Sequence, residues 1–277
     1  MTPDWTLKGK TVFVTGASRG IGQALCLALA KEGCNLVIAA KTAEPNPKLP
    51  GTIHDVARQV EALGARALPI MLDVRYEDKI EEAMALAVKT FGGVDVLINN
   101  AGAISLTNVE NTPAKKFDLL LGVNARASYL CSRAVLPGMK ARGWGHIIMM
   151  SPPIETDRSP GKTAYMLSKY GMTFIAQSLA GEVGKYGIAV NALWPVTAID
   201  TQATRHFGLG TEAQWRTPAI VVDATLAILR RSPAKCTGHA YYDEDVLREE
   251  GVTDFAGYSV VPGTTPPPLS RLLATDH

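Results

Sequence analysis

Short apolar runs rich in β-branched residues recur at 11–15, 34–40, 66–72, 94–98, 146–150 and 188–193, with a weaker run at 238–242. They are nearly continuous rather than alternating with polar residues. That is the pattern of strands buried on both faces. Between them, apolar positions fall at helical spacing near 21–32, 54–63, 77–91, 114–141, 163–184 and 218–230. Strand and helix alternate throughout. The pattern predicts an α/β fold: a doubly wound parallel sheet of about seven strands with helices on both faces, in a single domain over residues 1–277. Thr42 to Gly51 carries Pro45, Pro47 and Pro50 and reads as a loop. The tail 262–277, with Pro266-Pro267-Pro268, reads as extended or disordered. The cluster Asp243-Glu244-Asp245 reads as a solvated turn and helix cap.

Composition narrows the classes. A formal net charge of +2 over 277 residues implies neither nucleic acid nor an anionic membrane as a partner. The start Met1-Thr2-Pro3-Asp4-Trp5 lacks a basic-then-apolar signal. No apolar run approaches the roughly 20 residues a bilayer requires. Cys26, Cys34, Cys131 and Cys236 are scattered and read as reduced, buried thiols in a cytoplasmic setting. His54, His146, His206, His239 and His277 show no ligand spacing, so no metal site is expected.

The chemistry begins at Thr15-Gly16-Ala17-Ser18-Arg19-Gly20-Ile21-Gly22, between the first strand and the first helix. Gly16 permits a turn that a Cβ would forbid. Gly20 and Gly22 let backbone N–H groups approach a pyrophosphate, and the helix N-terminus adds free donors and a positive dipole end. With Ser18, Arg19 and Ile21 in the same turn, this strand–turn–helix order is a Rossmann-type dinucleotide signature.

Further landmarks follow in order. Asn99-Asn100-Ala101-Gly102 closes the fourth strand, and Asn124 lies in the next helix pattern. Ser151 closes the fifth strand, and Tyr165 and Lys169 stand four apart at the start of the next helix. Together they resemble the short-chain dehydrogenase/reductase family over about residues 8 to 242. Ala39-Ala40-Lys41-Thr42, Ile148-Met149-Met150-Ser151-Pro152-Pro153 and Asn191-Ala192-Leu193-Trp194-Pro195 are similar to the hydroxysteroid-dehydrogenase-like branch. Bacterial citronellol/citronellal-dehydrogenase-like oxidoreductases belong to that branch.

Spacing of four places Lys169 on the helical face of Tyr165. A free phenol, with a pKa near 10, is a poor base at neutral pH. A neighbouring ammonium, with the positive oxidised nicotinamide, favours the phenolate, so Tyr165 is expected to act as general acid/base with a lowered pKa. The resemblance implies that Lys169 also holds the nicotinamide ribose, that Asn124 organises a proton relay, and that Ser151 bonds the substrate oxygen. The family serine usually sits one place nearer the tyrosine. Pro152 occupies that place here and offers neither hydroxyl nor N–H. The expected catalytic set is therefore Tyr165, Lys169, Asn124 and Ser151.

NAD-specific relatives commonly end the second strand with an acidic residue. This chain has Ala39-Ala40-Lys41 there and Arg19 in the glycine turn, so NADP(H) is expected over NAD(H). By resemblance, Asp73 and Val74 flank adenine, Asn100, Ala101 and Gly102 line the far ribose, and Pro195 to Thr197 meets the nicotinamide amide. Val196 replaces the usual glycine there. Residues 198–217 match a substrate lid, and Phe207, Trp215 and Trp194 are candidates for an apolar pocket. The expected function is an NADP-dependent short-chain oxidoreductase interconverting a small alcohol and a carbonyl compound. The alternative is an NADP-binding sensor or scaffold with little turnover. A homotetramer or homodimer is expected through the helices near 114–141 and 163–184, with Gly171, Ala176, Ala180 and Gly181 admitting a partner helix.

Overall fold

The computed structural model describes residues 6–47 and 50–272. Its strands are β1 (Thr11–Thr15), β2 (Asn35–Ala40), β3 (Ala67–Met71), β4 (Val96–Asn99), β5 (Gly145–Met150), β6 (Ile188–Trp194), β7 (Ala198–Ile199), β8 (Trp215–Arg216) and β9 (Ala240–Tyr242). Its helices are α1 (Gly20–Lys31), α2 (Ile53–Ala62), α3 (Glu77–Phe91), α4 (Ala114–Leu121), α5 (Ala127–Arg142), α6 (Thr163–Val183), α7 (Gln202–His206), α8 (Ala219–Leu229), α9 (Asp243–Glu249) and α10 (Leu269–Leu272). Seven strands form one sheet in the order β3-β2-β1-β4-β5-β6-β9, every neighbour parallel. β7 and β8 pair separately. This is the expected doubly wound Rossmann-type sheet. The strand order reverses at β1, leaving a crevice beyond the carboxyl ends of β1 and β4 where such sheets bind ligands.

Successive strand residues face opposite sides, and the apolar runs fill both. Val12 and Val14 of β1 and Leu36 and Ile38 of β2 share one core with Leu25 of α1, Val56 of α2 and Ile228 of α8. Phe13, Val37 and Leu97 share the other with Ile80 of α3, Leu130 of α5 and Met172 of α6. Fully buried on both faces, β1 and β2 could not carry an alternating pattern.

Three expectations change. The single helix read over 114–141 is interrupted by a π-helical turn at Gly122–Arg126, where the Ala127 N–H reaches Gly122 O. Such single-turn bulges are invisible to apolar periodicity and favour functional sites. Of the small residues on α6, Ala176 and Ala180 are buried in this chain's own core. A Cβ on Gly171 would meet Ala125 Cβ at 3.0 Å. These three positions therefore serve packing within the chain, whereas a Cβ on Gly181 would meet nothing within 4 Å, and the large apolar side chains α6 leaves exposed are Leu167 and Phe174. The acidic cluster is not solvated throughout, because Asp243 and Glu244 are buried at the start of α9.

The described part of the tail, 262–272, returns to the molecule. Pro268 bridges to Thr197 and α10 follows. Residues 273–277 lie outside the described residues. No helix among the described residues is long and apolar enough to cross a membrane.

Candidate active site

The glycine turn folds as a close-packed cradle. Gly16 has φ +66°, and a Cβ there would lie 2.8 Å from Ala101 Cα. A Cβ on Gly22 would lie 2.5 Å from Gly16 O, 2.7 Å from Asn100 Nδ2 and 2.9 Å from Ala17 Cα. Neither position admits a side chain without moving backbone. The neighbouring strand end locks the turn. Asn100 Nδ2 donates to Thr15 O (2.9 Å) and Gly16 O (3.1 Å), and Thr15 Oγ1 accepts from the Asn100 and Ala101 amides at 3.0 Å each. At the head of α1, Arg19 makes no side-chain cap and the first turn holds no acid. Backbone donors there are left for an anion.

A cavity of about 690 Å³ runs from this turn to Tyr165. Of the residues expected to bind or react, Gly16, Ser18, Arg19, Gly20, Ile21, Lys41, Asp73, Val74, Asn100, Ala101, Gly102, Ser151, Tyr165, Lys169 and Pro195 line it. Gly22 and Asn124 do not; they sit beneath its wall, Asn124 fully buried. Thr197 is also buried behind the wall. Phe207 lines the cavity, whereas Trp215 donates to Leu209 O and Trp194 to Thr173 Oγ1.

At the adenosine end, the Arg19 guanidinium donates to Pro50 O (3.0 Å) and Gly51 O (2.9 Å), pinning the proline-bearing loop over the turn. Lys41 Nζ is 3.5 Å from Asp73 Oδ2 and mostly exposed. Asp73 accepts a two-pronged guanidinium from Arg75, with Nε–Oδ1 at 2.9 Å and Nη2–Oδ2 at 2.5 Å. Chiefly for that reason its carboxyl is held down at about 2. Arg19, Lys41 and Arg75 thus share this rim with one firmly ionised carboxylate, Asp73.

At the opposite end, α6 presents Tyr165 and Lys169 along one face. Lys169 Nζ donates to Met150 O at the end of β5 (2.6 Å). A point one carbon above Gly102 lies 3.8 Å from Lys169 Nζ and 3.6 Å from Asn124 Oδ1. The π-helical turn aims Asn124 at that spot. Its Oδ1 accepts the Ala103 amide (2.8 Å), and its Nδ2 donates to Ala103 O (3.0 Å) and Ser168 Oγ (2.8 Å). Ser128 Oγ donates to the Asn124 carbonyl at 2.7 Å. Burial pushes the Tyr165 phenol up to about 12 and the Lys169 ammonium down to about 8. The expected lowering counted the positive oxidised nicotinamide beside Tyr165 as well as Lys169. In the protein alone, the cost of burying charge outweighs the attraction between the two groups.

Ser151 Oγ is 2.8 Å from Thr173 Oγ1, deep under α6. Thr173 Oγ1 also accepts from Trp194 Nε1 at 3.1 Å. Pro152, beside Ser151, lines the cavity.

Several site residues escaped the sequence reading. Asp243 Oδ1 accepts the Val196 amide (3.0 Å) and the Glu244 amide (2.8 Å), fixing the Pro195–Thr197 segment. Burial pushes its carboxyl up to about 6. Glu244 pairs with buried Arg216 of β8. Thr201 caps α7 and lays its methyl against Gly20, whose Cβ would meet Thr201 Cγ2 at 3.5 Å. A Thr-x-x-Thr cap is readable in sequence, but its proximity to Gly20 is not. The acids betray themselves only through burial.

Comparison with known proteins agrees with this geometry. A family model described as short chain dehydrogenase matches residues 10–210. Hydroxysteroid dehydrogenase-like protein 2 of Xenopus tropicalis is 50% identical over 260 residues, covering 93% of this chain and 62% of that protein. The chain thus spans about three fifths of the length of such relatives. A crystal structure of a short chain dehydrogenase from Mycobacterium thermoresistibile superposes with TM-score 0.88 at 43% identity, covering 95% of each chain. L-Sorbose reductase from Gluconobacter frateurii, complexed with NADPH and L-sorbose, has TM-score 0.77 at 26% identity, covering 86% of this chain and 96% of its own.

Proposed function

This chain belongs to the short-chain dehydrogenase family, and from that premise we propose an NADP(H)-dependent oxidoreductase that interconverts an alcohol and a carbonyl compound. The observation that carries the proposal is one continuous cavity with a dinucleotide cradle at one end and Tyr165, Lys169 and the Asn124-bearing π-helical turn at the other. The residues fit the cofactor. Gly16 and Gly22 let the turn close tightly on Ala101, Asn100 and Ala17, and the head of α1 leaves N–H donors for the pyrophosphate.

When bound, the dinucleotide supplies the ring that carries hydride. The protein's own groups do the rest. Arg19 and Lys41 would hold a 2′-phosphate. Lys169 holds the nicotinamide ribose and, while protonated, supports the Tyr165 phenolate. Tyr165 gives its hydroxyl proton to the carbonyl oxygen during reduction and takes it back from the alcohol during oxidation. Asn124 braces the Ala103 backbone and would start a proton relay to Lys169. Pairing of two copies through α5 and α6 fits Tyr129, Leu167 and Phe174, large and exposed on those helices. The cytoplasm is the setting we assign, in keeping with four buried free cysteines.

A second reading, a dinucleotide-binding sensor with little turnover, draws on one observation. The Ser151 hydroxyl is engaged by Thr173, and Pro152 stands where a substrate-binding serine is usual. Tyr165→Phe separates the two. On any aldehyde or ketone that the wild type reduces with NADPH, kcat should fall roughly 10²-fold or more while NADPH affinity stays within roughly threefold. Unchanged kcat refutes the proton-transfer role. No wild-type turnover over a broad carbonyl panel, with NADPH bound, favours the sensor.

A further inference from the structure

The chain beyond β9 takes no part in the main sheet, yet it wraps the segment that covers the cavity. Ser259 bridges antiparallel to Arg216, the Val260 amide donates to Trp215 O (3.0 Å), and the Thr217 amide donates to Tyr258 O (2.8 Å). Tyr258 Oη donates to Asp223 Oδ2 of α8 (2.8 Å), and Ser259 Oγ donates to Thr264 O (2.9 Å), which turns the chain. Three consecutive prolines then carry it across. Their restricted φ presets an extended path, so little backbone freedom is lost when the segment docks.

The crossing is made at the residues assigned to the nicotinamide. Pro268 bridges to Thr197, and the Leu269 amide donates to Val196 O at 2.7 Å. Val196 is therefore held from both sides, its carbonyl by Leu269 and its amide by Asp243. Leu269 lines the same cavity as Tyr165, Pro195 and Phe207. Further on, Leu272 covers Gly210 of the lid, where a Cβ would lie 3.3 Å from Leu272 Cδ2.

We infer that residues 264–272 form the outer wall of the nicotinamide end of this cavity, with Leu269 as a positioning residue that orders Pro195–Thr197 and keeps water from the space beside Tyr165. The inference rests on the dinucleotide reading of the cavity.

The test compares the full chain with Leu269→Gly and with a variant ending at Gly263. NADPH fluorescence titration gives affinity, and acrylamide quenching of bound NADPH gives the exposure of its nicotinamide. Adenosine 2′,5′-bisphosphate, which occupies only the adenosine end, serves as a second ligand. Losing a backbone hydrogen bond and an apolar wall should weaken NADPH roughly 5- to 20-fold in the shortened variant and roughly 3-fold or more in Leu269→Gly. Quenching should rise at least about twofold in both, while bisphosphate affinity stays within about twofold. Unchanged quenching and NADPH affinity overturn the inference. Equal weakening of both ligands also overturns it, since that marks general loosening. If the full chain binds the bisphosphate and NADPH but the variants match it, the wall alone is wrong. If the full chain binds neither, the dinucleotide reading has failed and the wall falls with it.

Discussion

Lys41→Ala is the sharpest test of the proposed cofactor preference, because the structure shows what Lys41 must give up to bind a phosphate. Its ammonium is about two-thirds exposed and 3.5 Å from Asp73 Oδ2. Two unit charges 4 Å apart in water attract by about 1 kcal/mol. A 2′-phosphate carrying roughly −1.5 to −2 charges would therefore gain about 1.5–2 kcal/mol from Lys41. Against that stands the exposed Lys41–Asp73 pair, worth about 0.5 kcal/mol. Asp73 does not collapse without Lys41, because Arg75 holds it from the other side and keeps it ionised at about 2. The net contribution is about 1–1.5 kcal/mol, so Lys41→Ala should weaken NADPH roughly 5- to 12-fold. NADH lacks the phosphate and should change by less than about twofold. Fluorescence titration of both cofactors at about 0.05 M and about 0.5 M salt measures this, and the NADPH effect should shrink at the higher salt. Equal losses for NADH and NADPH, or no loss for NADPH, would refute the reasoning.

Two further outcomes follow from the site. Burial pushes the Tyr165 phenol up to about 12, so it stays protonated at neutral pH; carbonyl reduction should hold level from about pH 6 to about pH 8 while alcohol oxidation, which needs the phenolate, climbs over the same range, and an oxidation rate that falls with pH would contradict the assignment. Gly22→Ala places a carbon 2.5 Å from Gly16 O and 2.7 Å from Asn100 Nδ2, so the turn must open; NADPH affinity should drop at least about 10-fold with the melting temperature lowered by several degrees, and wild-type affinity would show that the turn is not the pyrophosphate cradle.

The sheet was legible because its strands are buried on both faces, which forces nearly continuous apolar runs such as 11–15 and 188–193. The glycine turn was legible for a similar reason. Backbone closeness at Gly16 and Gly22 leaves no alternative residue, so the geometry is written in the composition. The ordered placement of Asn124, Ser151, Tyr165 and Lys169 could be named, but their settings could not. Ser151 illustrates the gap. Its position at a strand end suggests a hydroxyl facing substrate, yet Thr173, eight residues beyond Tyr165 on the same helix, lies 2.8 Å from it. Only the register of α6 against β5 brings those hydroxyls together.

The same contrast governs the rim of the cavity. Charged residues in a sequence default to solvent, because burying a charge is costly unless it is paired. Asp243 and Glu244 escape that default through partners from distant parts of the chain: the Val196 amide, 47 residues back, and the Arg216 guanidinium, 28 residues back. The prolines before Leu269 behave alike. Taken alone they predict an extended segment, and the segment is extended where it meets Thr197, but nothing local reveals that it docks. The parts of this site that lie in one strand–turn–helix unit were thus readable from neighbours in sequence. The parts that bind the Pro195–Thr197 segment come from the last third of the chain and become visible only when the fold brings three loops against one another. If the wall at Leu269 acts as inferred, binding at the nicotinamide end in this protein depends on residues that the glycine turn and the Tyr165–Lys169 pair do not reveal.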